Sequence, residues 1–167
     1  IRNCDWSSDV CSSDLLALMA LLLGLVVSAP RAAALELILV RHADKDSQRG
    51  DYNLSPAGFR RALDLARLIP ACFGVPTGIT TYVLDPLTSK NARSYQSAVP
   101  LAIATGATIR IAMESAEASE QVGRQLRLQR TNASERLVLF WEHRRMPDLA
   151  RGLGWSAMVP IADDDFD

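Results

Sequence analysis

The chain offers few side chains that titrate near neutral pH, and two of them end similar apolar runs. Its two histidines are His42 and His143. Leu35, Leu37, Ile38, Leu39 and Val40 lead into Arg41 and His42; Leu137, Val138, Leu139, Phe140 and Trp141 lead through Glu142 into His143. A neutral imidazole supplies a nucleophilic or proton-accepting nitrogen. A guanidinium beside it supplies a planar fork of donors for an oxyanion. Taken alone, Arg41 and His42 are equally compatible with the first solvated residues past a strand. Arg93, in A-R-S-Y-Q-S-A, stands in the first turn of a predicted helix, where unpaired N–H groups and the dipole attract anions. Two arginines and two histidines gathered at one edge would make a pocket for a small dianion, and a phosphoryl group is the guest that suits it.

The elements around these residues are expected to bring them together. Short apolar runs of this length suit buried strands of a parallel sheet. If both strands belong to one sheet, their histidines meet at its carboxyl edge, where open α/β sheets bind ligands. Ala43 to Asn53 reads as a loop. Ser55 followed by Pro56 reads as an N-cap with proline at the first helical position. Phe59, Ala62, Leu63, Ala66 and Ile69 then fall at helical spacing, and Pro70 is expected to stop the helix. Thr80 to Leu84 predicts a second strand and Asn91 to Thr105 a helix closed by Gly106, with Pro100 predicting a kink or break. Ala107 to Ala112 predicts a third strand, Ala116 to Arg130 a polar helix, Arg136 to Trp141 a fourth strand, and Met146 to Leu153 a last helix, with Gly154 beyond it. This regular alternation predicts an α/β fold, a three-layer sandwich with a mainly parallel central sheet and helices on both faces.

The 167 residues suit one domain, and 49% hydrophobic content suffices for its core. A formal net charge of -1 gives no electrostatic case for nucleic acid. Residues 1–14 are set apart, because Asp5 to Leu15 looks like a translated sequencing adapter and is expected to be an assembly artefact. Residues 15–34 read as a signal peptide: Leu15 to Val27 is an apolar run too short for a comfortable membrane span, followed by Ala32, Ala33 and Ala34 in the A-x-A pattern. An uncleaved anchor is the competing reading. The expectation is an exported chain, periplasmic or secreted, with no stable membrane association once the signal is cleaved, and a domain over 35–167 truncated at its C-terminus. Cys72 is then the lone thiol of the mature chain and reads as a packing residue.

With these residues in place, the sequence resembles the histidine phosphatase superfamily, also called phosphoglycerate mutase-like. Val40, Arg41, His42 and Ala43 match its opening Arg-His-Gly/Ala motif. L-S-P-A-G-F-R-R-A from Leu54 to Ala62 matches its Leu-Thr/Ser-Pro-x-Gly helix. Arg93, Gln96 and Ser97 match Arg-x-x-Gln-Thr with serine for threonine, and His143 matches the histidine after the late strand. Trp141, Glu142 and His143, followed by Met146 to Gly154, resemble a subgroup in which Trp-Glu-His precedes a Pro-x-Leu-Ala helix.

The resemblance implies a phosphatase in which His42 is the nucleophile and carries a transient phosphohistidine, while Arg41, Arg93 and His143 hold the phosphoryl oxygens. It implies no metal and no cofactor. The substrate would be a phosphorylated small molecule or a phosphoprotein. A proton donor is expected after the third strand, where Glu114, Glu117 and Glu120 lie; Glu117 is nearest the expected offset, and Asp44 and Glu142 are alternatives. A catalytically inactive relative that binds phosphorylated ligands or a protein partner is the second reading. A nucleotide-binding module lacks support, because no glycine-rich turn follows any strand. Asn132, Ala133 and Ser134 form a sequon that carries meaning only in a eukaryotic secretory pathway.

Overall fold

The computed structural model describes residues 35–46, 50–111, 118–128 and 135–162. The apolar leader, Cys4, Cys11, Glu114, Glu117, the sequon and the acidic stretch from Asp163 to Asp167 lie outside the described residues. The elements are β1 (Glu36–Arg41), α1 (Pro56–Phe73), β2 (Gly78–Thr81), α2 (Ala92–Thr105), β3 (Ile109–Ile111), α3 (Ser119–Leu128), β4 (Arg136–Trp141) and α4 (Met146–Leu153), with a 3₁₀ turn over His143–Arg145. The four strands form one parallel sheet in the order β1-β4-β2-β3. The last strand therefore lies between the first two.

Alternation along β4 divides the core into the two faces a three-layer sandwich requires. Val138 and Phe140 join Val40, Ile79 and the inner faces of α1 and α2, including Leu65, Ile69, Ala98 and Leu101. Leu139 and Trp141 turn the other way, toward Val122 of α3 and Met146 and Leu149 of α4. Trp141, Phe140, Leu139 and Val138 are fully buried, so β4 is the hydrophobic spine of the molecule. Trp141 also satisfies its one polar atom, donating from Nε1 to Ser119 Oγ at 3.1 Å.

Several elements differ from the sequence expectation, each for a physical reason. Pro70 does not stop α1, which continues to Phe73 and ends at Gly74, whose φ of 87° suits glycine and whose N–H bonds to the Pro70 carbonyl. A proline near a helix end removes only its own N–H bond, here the one to Ala66. Pro100 likewise neither breaks nor interrupts α2. Its buried ring belongs to the face packed with Ala98 and Leu101, and that burial offsets the lost bond. Phe59 and Leu63 are about half exposed; the buried stripe of α1 runs instead through Gly58, Ala62, Leu65, Ala66 and Ile69. β2 ends at Thr81, although Tyr82 beyond it is buried and its N–H still bonds to the Phe140 carbonyl at 2.9 Å.

α3 and α4 meet through two glycines. A Cβ on Gly152 would strike the Glu120 carbonyl oxygen and come within 2.9 Å of Arg124 N, while one on Gly123 would come within 2.9 Å of Gly152 Cα. Backbone must therefore yield before either position can accept a side chain. Gly152→Ala is expected to destabilise the fold by about 1–3 kcal/mol through this overpacking, read as a lower urea midpoint with an unchanged m-value. An unaltered midpoint would show that the crossing can open at no cost.

Candidate active site

His42 is placed by the end of β1 and held by everything around it. Its N–H extends the ladder to the Trp141 carbonyl at 3.0 Å. Beyond it the chain enters a turn whose backbone groups are bound from two helices. Ala43 N–H donates to Ser97 Oγ of α2 at 2.9 Å. The Asp44 carbonyl accepts Ser55 N–H at 3.0 Å, and Ser55 Oγ in turn caps α1 by accepting Gly58 N–H at 2.9 Å. Gly58 is required here because any Cβ would collide with the Asp44 backbone. The motif glycine thus lets α1 lie directly on the turn that follows His42.

The hydrogen bonding decides the state of the ring. His42 Nδ1 lies 3.0 Å from the Ala43 carbonyl oxygen. A carbonyl only accepts, so Nδ1 carries the hydrogen and Nε2 keeps its lone pair. Nε2 is buried and has no hydrogen-bond partner among the described residues. Burial, reinforced by the cationic Arg93 and by His143 and Arg41, lowers the His42 pKa from 6.5 to about 3 despite the opposing Ala43 bond. The ring is neutral across the physiological range, with Nε2 uncommitted.

The structure brings His143 beside His42. The two histidine rings stand edge to face with centroids 5.7 Å apart, because their strands are neighbours and Arg41 pairs with Trp141 in register. His143 Nδ1 lies 2.9 Å from Glu142 Oε1. Arg93 occupies the second position of α2, entered through Asn91 in the left-handed conformation that asparagine tolerates. Burial lowers the Arg93 pKa, while Asp44 and Glu142 raise it and Arg41 lowers it further; these four charged groups therefore share one field. Arg41 is buried beside them, with Nη1 donating to the Ala162 carbonyl at 2.6 Å and its own carbonyl accepting Arg61 Nη1 at 3.2 Å.

His42, Arg41, Arg93 and His143 thus converge at the carboxyl edge of the sheet, together with Asp44 and Glu142. Glu120 faces elsewhere, in ion pairs with Arg124 and Arg151 across α3 and α4. Glu117 falls outside the described residues. His42, Glu142 and His143 also present donor atoms within 4.8 Å of one another, the spacing of a cation site. Two guanidinium groups, of Arg41 and Arg93, and two carboxylates, of Asp44 and Glu142, share the field around that cluster. The sequence pattern marks Gly58, Gln96 and Ser97 without revealing what they hold, since each acts on backbone more than 10 residues away in the chain, as the Gly58–Asp44, Gln96–Leu54 and Ser97–Ala43 contacts show.

The lowered His42 pKa has a pH consequence with a definite sign. The unfolded chain takes up a proton at this residue below about 6.5, whereas the folded chain does not until about 3. His42 therefore favours the folded state fully above pH 6.5, and that contribution is lost as pH falls from 6.5 toward 3. Nitrogen-15 NMR of the folded protein at pH 5 is expected to show His42 still neutral, with Nδ1 protonated and Nε2 bare. An imidazolium spectrum at pH 5 would contradict the geometry.

No protein-family profile matches the chain, and no curated protein matches it either. Solved structures do. The complex of mycobacterial glucosyl-3-phosphoglycerate phosphatase Rv2419c with inorganic phosphate superposes with a TM-score of 0.52 at 17% identity, over 77% of this chain and 86% of that one. A protein of Agrobacterium tumefaciens described as the phosphohistidine phosphatase SixA gives 0.51 at 22% identity, over 72% of this chain and 75% of that one. At these identities the likeness is one of fold. The parallel sheet covered on both faces has the fold of these two structures, the phosphoglycerate mutase-like fold.

Proposed function

We propose that this chain is a phosphatase that hydrolyses a phosphomonoester or related phosphoryl substrate through a phosphohistidine on His42. One observation carries the reading: a buried, neutral histidine keeps a free Nε2 lone pair inside a field set by Arg41 and Arg93. In the first step this lone pair attacks phosphorus, the N–P bond forms and the P–O bond to the leaving group breaks. The leaving oxygen carries away the bonding pair and takes a proton. In the second step water attacks phosphorus and gives up a proton that restores the donor used in the first, the N–P bond breaks, and phosphate departs while Nε2 regains its lone pair. Arg41, Arg93 and His143 stabilise the charge on the transferred group in both steps.

Asp44 and Glu142, both in the field of Arg93, are the candidate donors to the leaving oxygen among the described residues. The phosphatase activities named for the two similar structures belong to the same reaction class, which supports a phosphorylated small molecule or a phosphohistidine protein as substrate. The reaction as written uses no metal and no cofactor.

Phosphate release from an aryl phosphate in the presence of a chelator tests this directly. Wild-type activity is expected to survive chelation and to vanish in His42→Ala, and Arg93→Ala is expected to lose about 100-fold in rate. A folded wild-type protein that releases no phosphate from a broad phosphoester panel, or a His42→Ala variant that keeps its activity, would overturn the proposal.

A further inference from the structure

Ser97 is fully buried one turn beyond Arg93 on α2, and its Oγ accepts the N–H of Ala43 across 54 residues of sequence. Ala43 is itself completely buried, so no solvent can replace that acceptor. The same alanine offers its carbonyl to His42 Nδ1. One residue therefore receives support from α2 through its N–H and passes orientation to the imidazole through its C=O. Ser55 N–H fixes the next carbonyl, that of Asp44, which leaves little freedom for the intervening backbone to turn.

We propose that Ser97 is a positioning residue for His42, fixing through Ala43 which ring nitrogen carries the hydrogen and where Nε2 points. The inference rests on the reading of His42 as nucleophile. Removing Oγ strands a buried N–H, and the backbone relieves that cost by turning the His42–Ala43 peptide toward another acceptor. That turn changes the dihedral angles of Ala43, through which its carbonyl, in the next peptide plane, is displaced from Nδ1. The ring then loses the bond that selects its tautomer, and the form with hydrogen on Nε2 has no lone pair for phosphorus. Because Ser97 and Arg93 share a helix, the same bond also sets the register of the guanidinium against the nucleophile.

Gln96, the adjacent residue, supplies an internal comparison. Its amide oxygen accepts Leu54 N–H at 2.9 Å and its nitrogen donates to Asn53 Oδ1 at 2.6 Å, so it fastens the far end of the turn without touching Ala43. A purely structural role would make Ser97 and Gln96 equivalent. A positioning role separates them at the imidazole.

Long-range nitrogen-15 spectra of histidine-labelled protein at pH 7 read the tautomer directly, independently of any activity. Wild type, Ser97→Thr and Gln96→Ala are expected to show His42 with Nδ1 protonated and Nε2 bare. Ser97→Ala, and Ser97→Cys should the alanine variant fail to fold, are expected to show a mixed or inverted tautomer. On an aryl phosphate the same two variants are expected to lose about 10- to 100-fold in kcat with KM little changed, and Ser97→Thr to restore the rate. A folded Ser97→Ala or Ser97→Cys protein with the wild-type tautomer would overturn the inference, as would equal disturbance by Gln96→Ala. If wild type proves inactive, the phosphatase reading fails while the tautomer comparison still decides the role of Ser97.

Discussion

Burying the turn after β1 obliges every backbone polar group in it to find a partner inside the protein, and much of the architecture answers that obligation. The N–H of His42 is taken by β4, that of Ala43 by α2, and the carbonyl of Asp44 by the start of α1. An unmet group here would cost free energy comparable to a lost cap or a small cavity. The turn therefore has one low-energy shape, and the imidazole inherits it. The motif positions Gly58, Gln96 and Ser97 are the three places where neighbouring elements come close enough to impose that shape.

The electrostatic design follows from the same burial. A histidine removed from water beside two guanidinium groups cannot hold a proton, so it stays neutral without help from a general base. Arg93 is stabilised in turn by Asp44 and Glu142, which keep the field around it from being wholly positive. Arg41 is buried and Arg93 partly so, which strengthens the field that both set at His42.

How much of this was legible in the chain differs by element. β4 and α4 could be read to the residue, because a fully apolar run bounded by Arg136 and Glu142 and a helix opened by Pro147 and closed by Gly154 leave little choice. The alternation of strand and helix foretold the layers. The prolines misled, since Pro70 and Pro100 break helices only where packing does not compensate, and packing is invisible to local spacing. Phe59 and Leu63 misled because the buried stripe of α1 is rotated from the one they mark and runs through Gly58, Ala62, Leu65, Ala66 and Ile69. At the site, residue chemistry singled out His42, Arg41, Arg93 and His143, but their meeting depended on β1 and β4 being neighbours. Nothing in a single strand reveals its neighbour. The hold of Ser97 on Ala43 was legible only as a letter in a motif.

The placement of β4 between β1 and β2 has a bearing on how the molecule comes into being. In the described sheet, β1 has β4 as its one strand partner, and their paired residues lie 100 positions apart, Glu36 with Arg136 and Arg41 with Trp141. β4 is synthesised 100 positions after β1, so this pairing has to wait for it. Contacts of such separation are entropically expensive to close and tend to form late. The apolar, unpaired segment around His42 is therefore the part of the nascent chain most exposed to improper pairing. Its two histidines acquire a common pocket only when the last strand slides home.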